Sequence, residues 1–207
     1  MLYLSPVWNS LLEQYRPRFG YMMNAAHRSE GPYGGVLAGY PWLLDNGAYS
    51  DAWKVDQWVA GLERWAAHRS TCIAAVVPDT VGDAQATLAK FAEFAPTVRQ
   101  YGYPVAFVTQ DGLRLEDVPW SDFDVMFVGG TNQHKLHESM PFILEAKRRG
   151  KWVHIGRVNS AKRMHQFWIA DSCDGTSMKI EPSPRYARLY IHAMEEIKGK
   201  KATCSMF

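Results

Sequence analysis

Short apolar runs alternate with longer amphipathic stretches along this chain, and that rhythm narrows the fold before any motif is considered. The runs at 2–5, 20–24, 42–46, 72–79, 104–110, 124–129, 152–156 and 172–175 are of strand length. Several are apolar at nearly every position, as a sheet covered on both faces requires. Between them, 55–68, 83–101, 135–149, 160–169 and 184–198 carry helical spacing. Asp83 is placed to cap the second of these, ahead of Ala84, Ala86, Leu88 and Phe91, and Gly102 and Gly150 stand where left-handed C-caps belong.

Strand and helix in strict alternation mean parallel βα units. Eight runs suffice to close a compact (β/α)₈ barrel of the TIM type, read as one catalytic domain over residues 1–207. An apolar fraction of 47% can fill such a core. An open doubly wound sheet is the competing architecture. The run at 2–5 is the weakest strand: it is either a loose arm or the strand that completes the barrel.

The overall charge, +2 with a pI near 8.4, does not announce a nucleic-acid binder, although local clusters at Lys147–Lys151 and Lys198–Lys201 suit a polyanion or a solvated helix end equally. Cys72, Cys173 and Cys204 form no CxxC pair, so neither a disulfide framework nor a zinc knuckle is expected. No apolar stretch approaches membrane-spanning length and the N-terminus lacks a leader pattern. The expectation is a soluble, cytoplasmic protein (host cytoplasm if phage-encoded), without membrane association or cofactor; self-association into a homodimer is left open.

What ends the runs is more informative than the runs themselves. They close on Asp45 in LLDNGAYS, Asp79 in VVPDT, Gln110 in FVTQDG, Gly129 and Gly130 in FVGGTN, HIGRVNS, and Asp174 in DSCDGT. One such ending caps a helix; five in succession at the C-terminal ends of parallel strands converge on one barrel mouth. Alternation puts Ser172 with Asp174, and Ala106 and Val108 with Gln110, leaving Cys173 toward the helix layer. Asp45 and Asp174, on separate strands across one pocket, suit substitution at a glycosidic carbon, one attacking and the other handling the proton. Asp79 is suited to accept the N–H edge of a base, and Tyr49 to stack on it or simply anchor its loop.

The ordered set DNGAY, PDT, TQDG, VGG, HIGR and DSCDGT resembles the tRNA-guanine transglycosylase superfamily, above all its small relatives from phages and bacterial modification islands that put 7-deazaguanine bases into DNA. The resemblance runs from about Leu43 to Thr176. It implies Asp174 as the nucleophile on the sugar C1′, Asp45 as general acid/base and Tyr49 as the stacking aromatic. It further implies Asp79 and Gln110 as readers of the guanine edge, Gly129 and Gly130 as backbone contacts to the base carbonyl, and His154 and Gly156 as the pocket floor. The family's DSGG becomes DNGA here, with Ala48 at its second glycine. The zinc motif of the tRNA enzymes is absent, which favours DNA and a free 7-deazaguanine base as partners, with no metal.

A duplex hides its glycosidic bonds, so the target guanosine must be flipped out or met single-stranded. Arg157, Lys162 and Arg163, just beyond the 152–156 run, are placed to hold flanking phosphates or are ordinary surface charge. Three readings compete. A metal-dependent barrel hydrolase would need ligands, yet the seven histidines form neither HxH nor HExxH. A base-removing glycosylase would resolve the same intermediate with water, and a non-catalytic binder would keep the pocket without turnover.

Overall fold

All eight apolar runs become strands, and each pairs in parallel with its sequence neighbours. The structure is a computed structural model that describes residues 1–7, 10–15, 18–25, 39–48 and 54–204. Its strands are β1 (Leu2–Ser5), β2 (Phe19–Asn24), β3 (Trp42–Asp45), β4 (Cys72–Val76), β5 (Val105–Thr109), β6 (Val125–Val128), β7 (Trp152–Ile155) and β8 (Ser172–Asp174). β1 is no loose arm. It pairs with β2 through Tyr3 and Phe19 and with β8 through Leu4 and Asp174, closing the ring in the order β1 to β8. The fold is a TIM barrel.

Two shells of apolar side chains follow from the period-two pleat. Inward positions of the strands, including Leu4, Leu43, Val76, Ala106, Val108 and Val125, form one small cluster inside the barrel. Outward positions, including Tyr3, Trp42, Phe107, Met126, Ile155 and Cys173, join the helix faces in a second, larger one. The narrow interior takes small aliphatics, whereas the bulky aromatics fill the space between sheet and helices.

The long helices lie where the 3.6-residue spacing places them: α2 (Val55–Trp65), α3 (Ala84–Gln100), α4 (Met140–Arg148), α5 (Ala161–Gln166) and α7 (Pro184–Cys204). The carboxylate of Asp83 accepts from Ala86 N at 2.9 Å, the expected N-cap. Gly102 and Gly150 take φ of 76° and 70° past their helices. The short helices α1 (Ser10–Gln14) and α6 (Ser177–Ile180) are too brief to give a periodic signal.

The expected helix 135–149 instead divides. Pro141 has no N–H to continue a helix and stands in the first turn of α4, while a single π-helical turn covers His134–Glu138. Ser139 Oγ donates to Lys135 O at 2.6 Å at the junction. Lys135, in the π turn, is buried and lines the barrel mouth. The strand runs are likewise trimmed at their C-terminal ends: 72–79 becomes Cys72–Val76, freeing residues 77–79 to turn into the mouth.

α2 approaches the end of β2 so closely that a Cβ at Gly61 would lie 2.5 Å from Ala25 O and 2.7 Å from Ala25 Cβ. Backbone cannot give way cheaply there. Gly61→Ala is expected to lower the unfolding free energy by about 1–3 kcal/mol, the usual effect of overpacking. An unchanged denaturant midpoint would show that this contact is not tight.

Candidate active site at the barrel mouth

The C-terminal ends of the strands surround one open cavity, at the barrel face where sites of this architecture form. Asp45 from β3 and Asp174 from β8 both line it, as do Asp79 and Gln110. Phe127, Val76 and Val108 supply an apolar floor. Of the residues singled out from sequence, Gly129, Gly130, Gly156 and Arg157 also lie on this wall. Tyr49 lies outside the described residues. Lys162 and Arg163 sit on α5 away from the wall, where Arg163 N is taken up by the Ser160 cap.

His154 belongs to the site, though not as floor. Its side chain is fully buried behind Asp174 and stacks obliquely on Phe127 with ring centroids 4.7 Å apart. A chain of contacts runs through it: Trp152 Nε1 to Ser172 Oγ at 2.8 Å, Ser172 Oγ to His154 Nδ1 at 2.9 Å, and His154 Nε2 to Asp174 Oδ1 at 3.1 Å. The indole can only donate, so Ser172 accepts from it and has its own O–H to give to Nδ1. Nε2 then carries the proton and donates it to Asp174. Neutral imidazole satisfies every member of the chain. The order resembles a hydrolytic triad read backwards: Ser172 is buried at the far end, and the carboxylate faces the cavity.

The backbone N–H of Arg157 reaches the same oxygen, Asp174 Oδ1, at 3.2 Å. One oxygen of this carboxylate is therefore held by two donors. The other, Oδ2, has no hydrogen-bond partner among the described residues. Such a group is oriented and has a free lone-pair face.

Asp79 is held by amides. Asn46 Nδ2 donates to Oδ1 at 2.8 Å and to Val77 O at 2.9 Å, while Gln110 Nε2 donates to Oδ2. Gln110 Oε1 in turn accepts from Gly82 N at 2.9 Å. Asn46 escaped notice in the sequence because it follows Asp45 and reads as a turn residue; its partner is 33 positions away. The lack of a side chain at Gly129 makes room for this network: a Cβ there would stand 2.6 Å from Val108 Cγ1 and 3.0 Å from Gln110 Nε2.

Backbone accounting corrects the paired role of Gly129 and Gly130. Gly129 N donates to Thr109 O within the ladder at 3.2 Å and is not available to a ligand. Gly130 N–H makes no hydrogen bond among the described residues. Gly156 N is likewise committed, to Val128 O at 3.1 Å. Lys135 was missed altogether. It only opened the expected 135–149 helix, yet it is 4% exposed, lines the cavity and donates from Nζ to Gly156 O at 3.3 Å. Among the described residues no cluster of three His, Cys, Asp or Glu side chains is arranged to hold a metal, and no helix is long and apolar enough to cross a membrane.

Burial shapes the electrostatics of the mouth. Burial, then the charges of Asp174 and Asp79, push the Asp45 carboxyl up to about 7. Burial also raises Asp79 above the usual carboxylate range, opposed by its amide donors and by Lys90. Burial, with Arg157 nearby, lowers Lys135 to about 8. For Asp45 the linkage runs as follows: below the unfolded value of 3.8 both states are protonated and nothing is lost. Between there and about 7 the unfolded chain gives up a proton that the folded site retains, so stability falls, and the full penalty stands above about 7. Asp45→Asn should therefore raise Tm by several degrees at pH 8 (each kcal/mol is about 2–4 °C in a domain of this size), with the gain shrinking toward zero at pH 4. A gain independent of pH would contradict the assigned environment.

No protein-family model matches the sequence, and no curated protein matches it. Among solved structures, phosphoribosyl anthranilate isomerase from Thermus thermophilus is similar over 95% of this chain and 98% of its own, with a TM-score of 0.56 at 12% identity. Tryptophan synthase subunit alpha from Legionella pneumophila str. Paris is similar over 86% and 80%, with a TM-score of 0.50 at 11% identity. At these identities the likeness is one of fold: the chain shares the TIM-barrel architecture with both.

Proposed function

We propose that this protein is an enzyme, a base-exchange glycosyltransferase that replaces guanine in DNA with a 7-deazaguanine base, as its resemblance to the transglycosylase superfamily implies. One observation carries the reading: Asp45 and Asp174 line a single cavity whose other wall is the Asn46–Asp79–Gln110 cluster. Two carboxylates in unlike environments beside a hydrogen-bonding wall are what a double displacement at a sugar carbon needs.

In the first step Asp174 Oδ2 attacks C1′ of the target deoxyguanosine. The bond from C1′ to guanine breaks, its electron pair leaves with the base, and the carboxyl proton of Asp45 passes to that base. A carboxyl raised to about 7 still holds this proton at neutral pH. In the second step the incoming base gives its N–H proton to the Asp45 carboxylate and attacks C1′, breaking the ester to Asp174. Each exchange restores the starting protonation, and two inversions retain the anomeric configuration.

The base is read by the opposite wall. Each oxygen of Asp79 accepts one amide hydrogen bond and keeps a further lone pair for the N–H edge of guanine. The resemblance to the DNA-directed relatives makes DNA, flipped or single-stranded, the proposed polymer.

The test is to incubate the protein with single-stranded and duplex DNA and 7-cyano-7-deazaguanine, then to identify nucleosides by mass spectrometry. Incorporation is expected from the wild type and at least about a thousandfold less from Asp174→Ala, as loss of a covalent nucleophile implies. Appearance of abasic sites without incorporation would replace exchange by base removal; full activity of Asp174→Ala would sink the mechanism. The release of guanine should also decline above about pH 7, as Asp45 loses the proton it must deliver. Asp79→Ala is expected to erode the preference for guanine over adenine, and unchanged discrimination would remove it from the base-reading wall.

A further inference from the structure

The proposed chemistry leaves two cations of the cavity wall without a task. Lys135, after β6, reaches across to Gly156 O at the end of β7 at 3.3 Å. Arg157, after β7, reaches back to Gly130 O at the end of β6 at 2.7 Å. The two side chains thus lace neighbouring strand ends in opposite directions and bring their positive charges together, close enough for Arg157 to depress the ammonium of Lys135. Among the described residues no carboxylate lies within ion-pair distance of Lys135 Nζ.

A buried ammonium with one carbonyl contact retains two N–H donors, and Asp174 and Asp111 act on its charge only from beyond ion-pair distance, an arrangement that a bound anion would complete. The backbone adds two further signs. Arg157 adopts φ 61°, the only positive φ of a non-glycine residue among the described residues, held there by its N–H to Asp174 and its guanidinium to Gly130. Gly130, at φ 74°, leaves its N–H unpaired on the same wall.

We infer that Lys135, Arg157 and the Gly130 N–H form an anion subsite for the phosphate attached to the target sugar, so that the cavity takes a nucleotide with its phosphate rather than a bare nucleoside. The inference deepens the proposed function by naming the substrate class of the same site. It differs from a surface contact by flanking charges: Lys162 and Arg163 lie off the cavity wall, whereas Lys135 is inside it.

Binding separates this subsite from the exchange reaction. Inorganic phosphate, deoxyguanosine, deoxyguanosine monophosphate and a short single-stranded oligonucleotide containing guanine are titrated against the wild type, Lys135→Gln, Lys135→Arg and Arg157→Gly, with folding checked by circular dichroism. The glycine variant removes the guanidinium where a positive φ costs glycine nothing. The wild type is expected to bind the monophosphate or the oligonucleotide at least tenfold more tightly than deoxyguanosine. Lys135→Gln and Arg157→Gly should each lose most of that advantage while binding deoxyguanosine within about twofold of wild type, and Lys135→Arg should restore part of it. A preference for the oligonucleotide alone places the phosphate within a polymer; equal preference admits a free nucleotide. Phosphate-bearing ligands bound no better than deoxyguanosine, or an advantage untouched by both Lys135→Gln and Arg157→Gly, would overturn the subsite. Lys135-dependent binding without any base exchange would keep the subsite and discard the proposed reaction.

Discussion

The closure of β1 onto β8 is the constraint on which everything else depends. Without the hydrogen-bonded pairing of Leu2–Leu4 with Ser172–Asp174, Asp174 would stand at a sheet edge and the eight strand ends would not face one another. Closure also fixes what the interior can hold. A small barrel admits only modest aliphatic side chains below, and most polar groups buried at the crown need partners in one another. The crown meets that demand by mutual lacing: amides hold Asp79, the imidazole and a backbone N–H hold one oxygen of Asp174, and Lys135 and Arg157 hold each other's strand ends.

This lacing gives otherwise identical carboxylates different capacities. Asp174 is gripped on one oxygen, which fixes the direction of the other. Asp45 is buried with like charges across the cavity, and these outweigh the backbone N–H groups beside it, so it favours its proton. Asp79 has an amide on each oxygen, which suits recognition better than attack. The division of labour comes from partners on adjacent strands, and the closed ring brings Asp45 on β3 and Asp174 on β8 to one cavity.

The strand-and-helix rhythm made the barrel legible from sequence, and the polar strand endings located the mouth. Where sequence reading stopped, the causes are specific. Alternation placed Ser172 and Asp174 on one face, yet it could not show that His154 would join them into a buried relay, because register between β7 and β8 is a tertiary fact. Lys135 was hidden by its own residue type: in a stretch such as NQHKLHES a lysine reads as solvent-facing, and its burial in the cavity wall is a tertiary fact. Gly129 and Gly130 looked equivalent in the motif, and the ladder bond of the first is invisible without its partner strand. The fold neighbours add nothing to this at 12% and 11% identity, since a barrel scaffold carries many chemistries on its strand-end loops.

The mouth is electrically lopsided, and the reaction proposed for it turns that into a requirement. Positive charge develops on the sugar as the glycosidic bond breaks, and the carboxylate of Asp174 stabilises it. Lys135 and Arg157, on the same cavity wall, would oppose it if left bare. An anion seated on them cancels that opposition before the charge appears. The phosphate of a nucleotide arrives with the substrate itself, so a cavity that is unfavourable toward the transition state when empty of anion becomes favourable only for a sugar that carries one. Selection for nucleotide over nucleoside would then be exerted in the rate as well as in the affinity, through the same two cations.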